Sequence, residues 1–328
     1  MIPASWTRRK LGQEQIVLAF AALLFIGYAL TLRGFTDPAN LVAILRSVAI
    51  LGILAVGMGV VIIGRGIDLS MIAVMAMATA LQLQLMNQGW SGGTALLFVF
   101  LAVLGLGLVN GAMIAYGDVP PLFATLASAA FVFGAVRSQM LSQDIVYVPK
   151  DATALLALGQ FQVAGLPVEV LFFAGALLLA FLVLRFTKIG LYVYLMGDNF
   201  LAARTTGVPV RPMILMQYVA SALLAWLAGI VTAAGLQSIN TRIVNSTLLY
   251  DVILVVVIGG IGLSGGRGGM RNVLVGALLI GIMLNGMTIL NLPNIYQNLL
   301  KATILLAALV VDSRLNPRDE QTGQQGDI

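Results

Sequence analysis

Long apolar runs divided by short polar breaks recur along this chain, and that pattern restricts it to very few folds. A helix needs about 20 residues to cross a hydrocarbon layer of about 30 Å. A window of that length finds about ten spans, near residues 14–32, 41–63, 67–86, 94–115, 121–140, 167–185, 212–236, 249–263, 272–290 and 297–312. The third is polar at both ends, and the eighth and tenth are short. Apolar residues make up 60% of the 328 and charged residues 9%, against roughly 45–50% and 25% in soluble domains. One soluble core of this size cannot hide that much apolar surface. The expected fold class is all-α: a polytopic membrane protein with about ten transmembrane helices.

Lysine and arginine set the expected orientation. With the N-terminus in the cytoplasm and the spans alternating, twelve of the eighteen basic residues fall on cytoplasmic segments and six do not, as the positive-inside bias requires. Both termini are then cytoplasmic. Arg8, Arg9 and Lys10 precede the first apolar run. That run is long enough to span and no A-x-A cleavage site closes it, so it is read as a retained span rather than a signal peptide. The expected organisation is a cytoplasmic N-terminus at 1–13, a transmembrane domain at 14–312 and a polar, disordered cytoplasmic tail at 313–328. Two outward loops stand out, Ser142 to Pro167 and Gln237 to Leu248.

The chain has no cysteine and no histidine. Disulfides, thiol chemistry, Cys/His zinc sites and imidazole acid–base catalysis are excluded together. No carboxylate pair or nucleophile–base pair stands out, which argues against an enzyme. The net charge of +5 is scattered through loops and is not a nucleic-acid signature.

One interior break, 186–211, is both polar and basic. Within it Asn199-Phe-Leu-Ala-Ala-Arg204 has the form of one or two helical turns, preceded by Gly197 with Asp198 and Asn199 as capping candidates, and stopped by Gly207 and Pro209. Spacing alone favours an ordinary cytoplasmic loop over a short helix that another protein grips. Gly64-Arg-Gly-Ile-Asp-Leu-Ser70 joins the second and third spans. Asp68 or Ser70 could cap the third span; the segment is either a tight turn or a broken helix end of the kind that lines a polar path. Gly259-Gly-Ile-Gly-Leu-Ser-Gly-Gly-Arg-Gly-Gly269 lacks the Lys-Ser/Thr of a phosphate loop and the βαβ setting of a dinucleotide site. It offers a glycine-rich turn with one cation, Arg267.

Arg46, Arg137, Asp251 and Lys301 fall within or at the edge of spans. Each would cost about 2.5–3.5 kcal/mol or more facing lipid at the bilayer centre, so each should face protein or water. Asp251 could simply cap the eighth span. There is also a faint internal echo. Gly66-Ile-Asp-Leu-Ser70 parallels Gly260-Ile-Gly-Leu-Ser264, each after a β-branched run, and Val109-Asn-Gly111 parallels Leu284-Asn-Gly286. Duplication and chance are both open.

Taken in order, the chain resembles the inner-membrane permease subunits of ABC importers for simple sugars, of the ribose/xylose/galactose type. The residues that carry the resemblance are Gly66-Ile-Asp-Leu-Ser70, Val119-Pro-Pro-Leu-Phe-Ala-Thr-Leu126, Thr187-Lys-Ile-Gly190, Gly197-Asp-Asn199, Ala202-Ala-Arg204 with Gly207-Val208, Leu227-Ala-Gly229, Asp251 before Val257-Ile-Gly-Gly260, Leu263-Ser-Gly-Gly-Arg-Gly268, Gly276-Ala-Leu-Leu-Ile-Gly281, Asn285-Gly286 and Ala308-Leu-Val-Val-Asp312.

The resemblance implies a permease domain that pairs with a second permease subunit in the lipid bilayer of the bacterial inner membrane. Cytoplasmic ATP-binding subunits drive it, and a periplasmic substrate-binding protein delivers a sugar. ATP and Mg are expected on the partner ATPase, with no cofactor or metal bound by this chain and no nucleic-acid partner. The resemblance turns the 186–211 break into a coupling loop, with Gly197, Asn199, Leu201, Ala202, Ala203, Arg204 and Gly207 matching the family's motif. Gly66, Asp68, Ser70, Asn110, Asp251 and Asn285 become candidates for the translocation pathway or for helix breaks. Gly265, Gly266, Arg267 and Gly268 form a cytoplasmic turn. Phe200-Leu201 replaces the family's usual Pro-Glu, Leu249 its Glu, and Arg65 its glycine. Either lost carboxylate could mark a heterodimer. A permease for another solute (a branched-chain amino acid, nucleoside or signalling sugar) and a stand-alone secondary transporter are the alternatives.

Overall fold

The computed structural model describes residues 12–140 and 143–315. The expected N-terminal segment lies largely, and the C-terminal tail almost wholly, outside them. Each of the ten apolar runs is a helix. They are α1 (Gln13–Thr31), α2 (Pro38–Ile63), α3 (Met71–Asn87), α4 (Gly92–Ala115), α5 (Pro121–Met140), α7 (Val168–Phe186), α10 (Val210–Leu236), α11 (Leu248–Gly259), α12 (Met270–Ile289) and α13 (Asn294–Leu315). Three shorter helices lie between them: α6 (Thr153–Gln160), α8 (Lys188–Asp198) and α9 (Phe200–Thr205). Among the described residues, seven helices are long and apolar enough to cross a membrane, while α3, α11 and α13 hold shorter apolar stretches. The fold is that of an all-α polytopic membrane protein.

Local chemistry sets the helix ends. Pro38 opens α2, where its missing N–H is no loss. Ser91 accepts from the Thr94 N–H at the start of α4, and Thr187 does the same for Gly190 at the start of α8. Inside α3, Val74–Ala78 is π-helical, a local underwinding often found at functional positions.

α2, α10 and α12 are buried over most of their length, whereas α1 buries only Val17 and Ala21 and lies at the periphery. The core therefore forms around α2, with α10, α11, α12 and α7 against it. α4 packs most extensively on α10. A methyl on Gly107 would lie 2.7 Å from Val219 Cα, and one on Gly111 2.7 Å from Leu215 Cα. The four-residue spacing of these glycines puts both on one face, so the two backbones touch. Gly105, from the same small-residue run, meets nothing.

The two loops expected to face outward are not simple linkers. Strand β1 (Ile145–Tyr147) pairs antiparallel with β4 (Ser238–Asn240), and β2 (Gln162–Val163) pairs with β3 (Leu166–Pro167). Asp144 joins the two loops by accepting from both Arg137 and Arg242, the latter at 2.5 Å. The hydrogen bond from Arg137 holds the Asp144 carboxyl below its ordinary pKa, with Arg242 adding to the effect.

Candidate functional site

Three segments far apart in sequence meet at the basic end of the bundle. α2 closes with a reversal in which Gly66 N–H donates to Val61 O at 2.9 Å and Arg65 N–H to Ile62 O at 2.9 Å. This is the Schellman pattern, and it requires a left-handed residue at the turn. That residue is Arg65, with φ +68°, which explains why glycine is usual there. α11 closes in the same way: Ile261 N–H donates to Val256 O and Gly260 N–H to Val257 O, both at 3.1 Å, with Gly260 at φ +107°. The same helix stop is used twice, but it matches Arg65 with Gly260 and so lies one residue out of register with the first echo, which pairs Gly66 with Gly260.

The first stop is linked directly to the turn that follows the second. Gly266 N–H donates to Ile63 O at 2.8 Å. Gly197, the end of α8 but for one residue, fills the remaining space, and a methyl there would collide with both Ile63 O and Gly266 N. A methyl on Gly265 would strike Arg65 Cγ, and one on Gly266 would lie 2.7 Å from Asp198 N. The Tyr194 hydroxyl donates to Gly268 O at 2.8 Å. The segment expected as a loop is therefore mostly helical, because α8 runs almost directly on from α7. α9 is the expected short helix. Asn199 caps it by accepting from the Ala202 N–H at 2.9 Å, and Gly207 turns out of it at φ +84°. Ala203 is buried among Met196, Val208, Val210 and Met213. Leu201 is 61% exposed, and Ala202 and Arg204 are also exposed.

A buried polar network lies behind this junction. Asp68 is 1% exposed and Ser70 0%. Asp68 Oδ1 accepts from Ser70 N at 2.9 Å and Ser70 Oγ at 2.5 Å, and its Oδ2 accepts from Ser221 Oγ at 2.7 Å. Asn110 Nδ2 donates to Ser70 Oγ at 3.2 Å, and Ser128 Oγ donates to Asn110 Oδ1. Leu69 N–H donates to Thr125 Oγ1 at 3.1 Å, and Tyr218 OH donates to Ile67 O at 3.3 Å across Gly66. Ser70 makes no side-chain cap on α3. Its hydroxyl instead joins α4 to the α2–α3 junction, and Ser221 brings in α10. The three hydrogen bonds that the Asp68 carboxyl accepts offset part of the cost of burying it.

Asp251 and Asn285 do not join this network. Asp251 is not merely a cap: its carboxylate is buried and pairs with Lys301 at 2.8 Å, while Lys301 also donates to Thr247 Oγ1 at 2.9 Å. Asn285 exchanges hydrogen bonds with Asn40 at the far end of α2, at 2.8 and 3.1 Å. Asn110 and Asn285 therefore sit at opposite ends of the bundle. Ser221, Ser128 and Tyr218 carry no motif by which the sequence could have singled them out. Glu169, buried in the first turn of α7 beside Arg46, was detectable as a carboxylate inside the sixth apolar run.

The described residues form a membrane bundle with a buried polar network at a helix break and a short, partly exposed helix at its basic end. Residues 40–309 match the family of branched-chain amino acid transport system permease components, and the chain belongs to that family. It is 30% identical to the ribose import permease protein RbsC of Escherichia coli strain K12, over 94% of this chain and 96% of that one. It is 34% identical to the galactofuranose transporter permease protein YtfT of the same strain, over 86% and 81%. It is 32% identical to the ribose import permease protein RbsC of Bacillus subtilis strain 168, over 85% and 86%. No solved structure matches the chain.

Proposed function

We propose that this chain is the membrane-spanning subunit of an ATP-driven importer that carries a simple sugar across the bacterial inner membrane. The observation that carries this reading is the similarity to sugar permeases over nearly the full length of both chains. In this reading all ten apolar helices cross or enter the bilayer, and the end bearing Arg65, Lys188, Arg204 and Arg267 faces the cytoplasm along with both termini.

α9 is then the coupling helix. ATP and Mg act on separate ATPase subunits, whose closure presses on the exposed side of α9. The push reaches α2 and α11 through the backbone contacts at Gly197 and Gly266. Packed backbones have few intermediate arrangements, so a small displacement there moves whole helices. A second permease completes the pathway, and a periplasmic binding protein meets the β1–β4 face. Leu201, where the family usually has Glu, favours a partner subunit that supplies that carboxylate.

The test is purification of the tagged protein from its native membrane in mild detergent, with mass spectrometry of what accompanies it and uptake assays for ribose and arabinose. The reading expects a stoichiometric ATPase and ATP-dependent sugar uptake. Substrate movement by the protein alone, without ATP, would overturn it.

A further inference from the structure

The outer half of α2, the half away from Gly64, carries a polar stripe that the coupling end does not explain. Asn40, Ala43, Arg46 and Ser47 follow at three- and four-residue spacing, which puts them on one helical face. Ala43 and Ser47 are exposed, and the Arg46 side chain is 34% exposed, on a helix otherwise almost wholly apolar. Arg46 is the ninth residue of α2, about 12 Å along its axis at 1.5 Å per residue. A guanidinium at that depth should not face lipid.

Its partner is poorly satisfied. Arg46 Nε lies 3.5 Å from Glu169 Oε1, too far for a good hydrogen bond. Glu169 is 2% exposed, and its Oε2 and Arg46 Nε are both buried without a hydrogen-bond partner. Orphaned buried polar atoms of this kind are rare in native proteins and call for an explanation. Ser47 adds a further free group. The hydroxyls of Thr31, Thr232, Thr288 and Thr303 each donate to the carbonyl four residues back, but among the described residues Ser47 has no partner.

We infer that this stripe lines the solute pathway and that Arg46, Glu169 and Ser47 form a contact site for a polyhydroxylated solute. The inference rests on the importer reading above. Such a solute sheds water on entering the membrane and needs donors and acceptors side by side. Arg46 supplies fixed donors, Ser47 either role, and Glu169 an acceptor that comes free when the loose ion pair shifts.

The absence of cysteine gives a clean background for testing this. In the intact complex, Ser47→Cys and Ala43→Cys are treated from outside with a membrane-impermeant methanethiosulfonate, with Leu23→Cys on the exposed face of α1 as the lipid reference. A thiol in apolar surroundings has a raised pKa and loses about tenfold in thiolate per unit. Ser47→Cys should therefore react at least about tenfold faster than Leu23→Cys, and saturating ribose or arabinose, whichever the complex takes up, should slow it severalfold. Reaction no faster than at Leu23→Cys, disulfide cross-linking of Ser47→Cys between two permease subunits, or indifference to the transported sugar would each overturn the inference. Failure of the importer reading shows separately, as no sugar uptake by the unmodified complex.

Discussion

The Ile63 carbonyl accepts the Gly266 N–H at 2.8 Å, joining the end of α2 to the α11–α12 turn about 200 residues on in sequence, with Gly197 packed against both groups. Two helix ends and this turn share the contact, so a Cβ at its centre disturbs all of them. Gly197→Ala should cost about 1–3 kcal/mol through overpacking and abolish sugar uptake. Gly105→Ala, where nothing lies within 4 Å, should leave uptake unchanged and hold or slightly raise thermal stability. Unfolding temperature in detergent and vesicle uptake, measured together, check this.

The two faces of α9 separate packing from coupling. Ala203 is buried and Leu201 exposed. Ala203→Asp should lower the unfolding temperature, because it places a charge in a small apolar cluster. Leu201→Asp should leave that temperature unchanged while altering ATPase stimulation and uptake. Unchanged ATPase stimulation and uptake in Leu201→Asp would remove α9 from the coupling role.

Asp68 holds Ser70 and Ser221 on separate oxygens. Asp68→Ala orphans two buried hydroxyls, at about 1–3 kcal/mol each, and should abolish uptake. Asp68→Asn keeps one acceptor and should fall between Asp68→Ala and the control Asp319→Asn in uptake rate.

The buried Asp251–Lys301 pair should behave non-additively. Lys301→Met leaves an uncompensated buried carboxylate and should destabilise by about 3–5 kcal/mol. Adding Asp251→Leu should restore most of that loss. A double-mutant cycle by thermal unfolding measures the coupling.

Asp144 predicts an acid response of the outer loops. Its folded pKa is depressed by Arg137 and Arg242, so its contribution is full above the unfolded value of about 3.9 and is lost as pH falls through the folded value. Hydrogen-exchange protection of Val146 and Ile239 should therefore fall below about pH 4, and Asp144→Asn should lower that protection already at neutral pH.

Apolar runs, basic breaks and terminating glycines were legible in one dimension, because hydropathy and capping act over a few residues. They predicted all ten apolar helices, α9 with its Asn199 cap, and the need of Arg46, Arg137, Asp251 and Lys301 for polar surroundings. The tertiary structure alone decided which partners they have. Asp68 and Ser70 were marked by their motif, but Ser221 and Ser128 join their network only when α10 and α5 pack, and Glu169 meets Arg46 only when α7 packs on α2. The same holds for the glycines. Sequence records that Gly105, Gly107, Gly197 and Gly266 lack side chains, but only packing determines that a Cβ is free at the first and impossible at the other three. A residue's own chemistry and its near neighbours are written in the chain; a contact between helices depends on the positions of all of them at once.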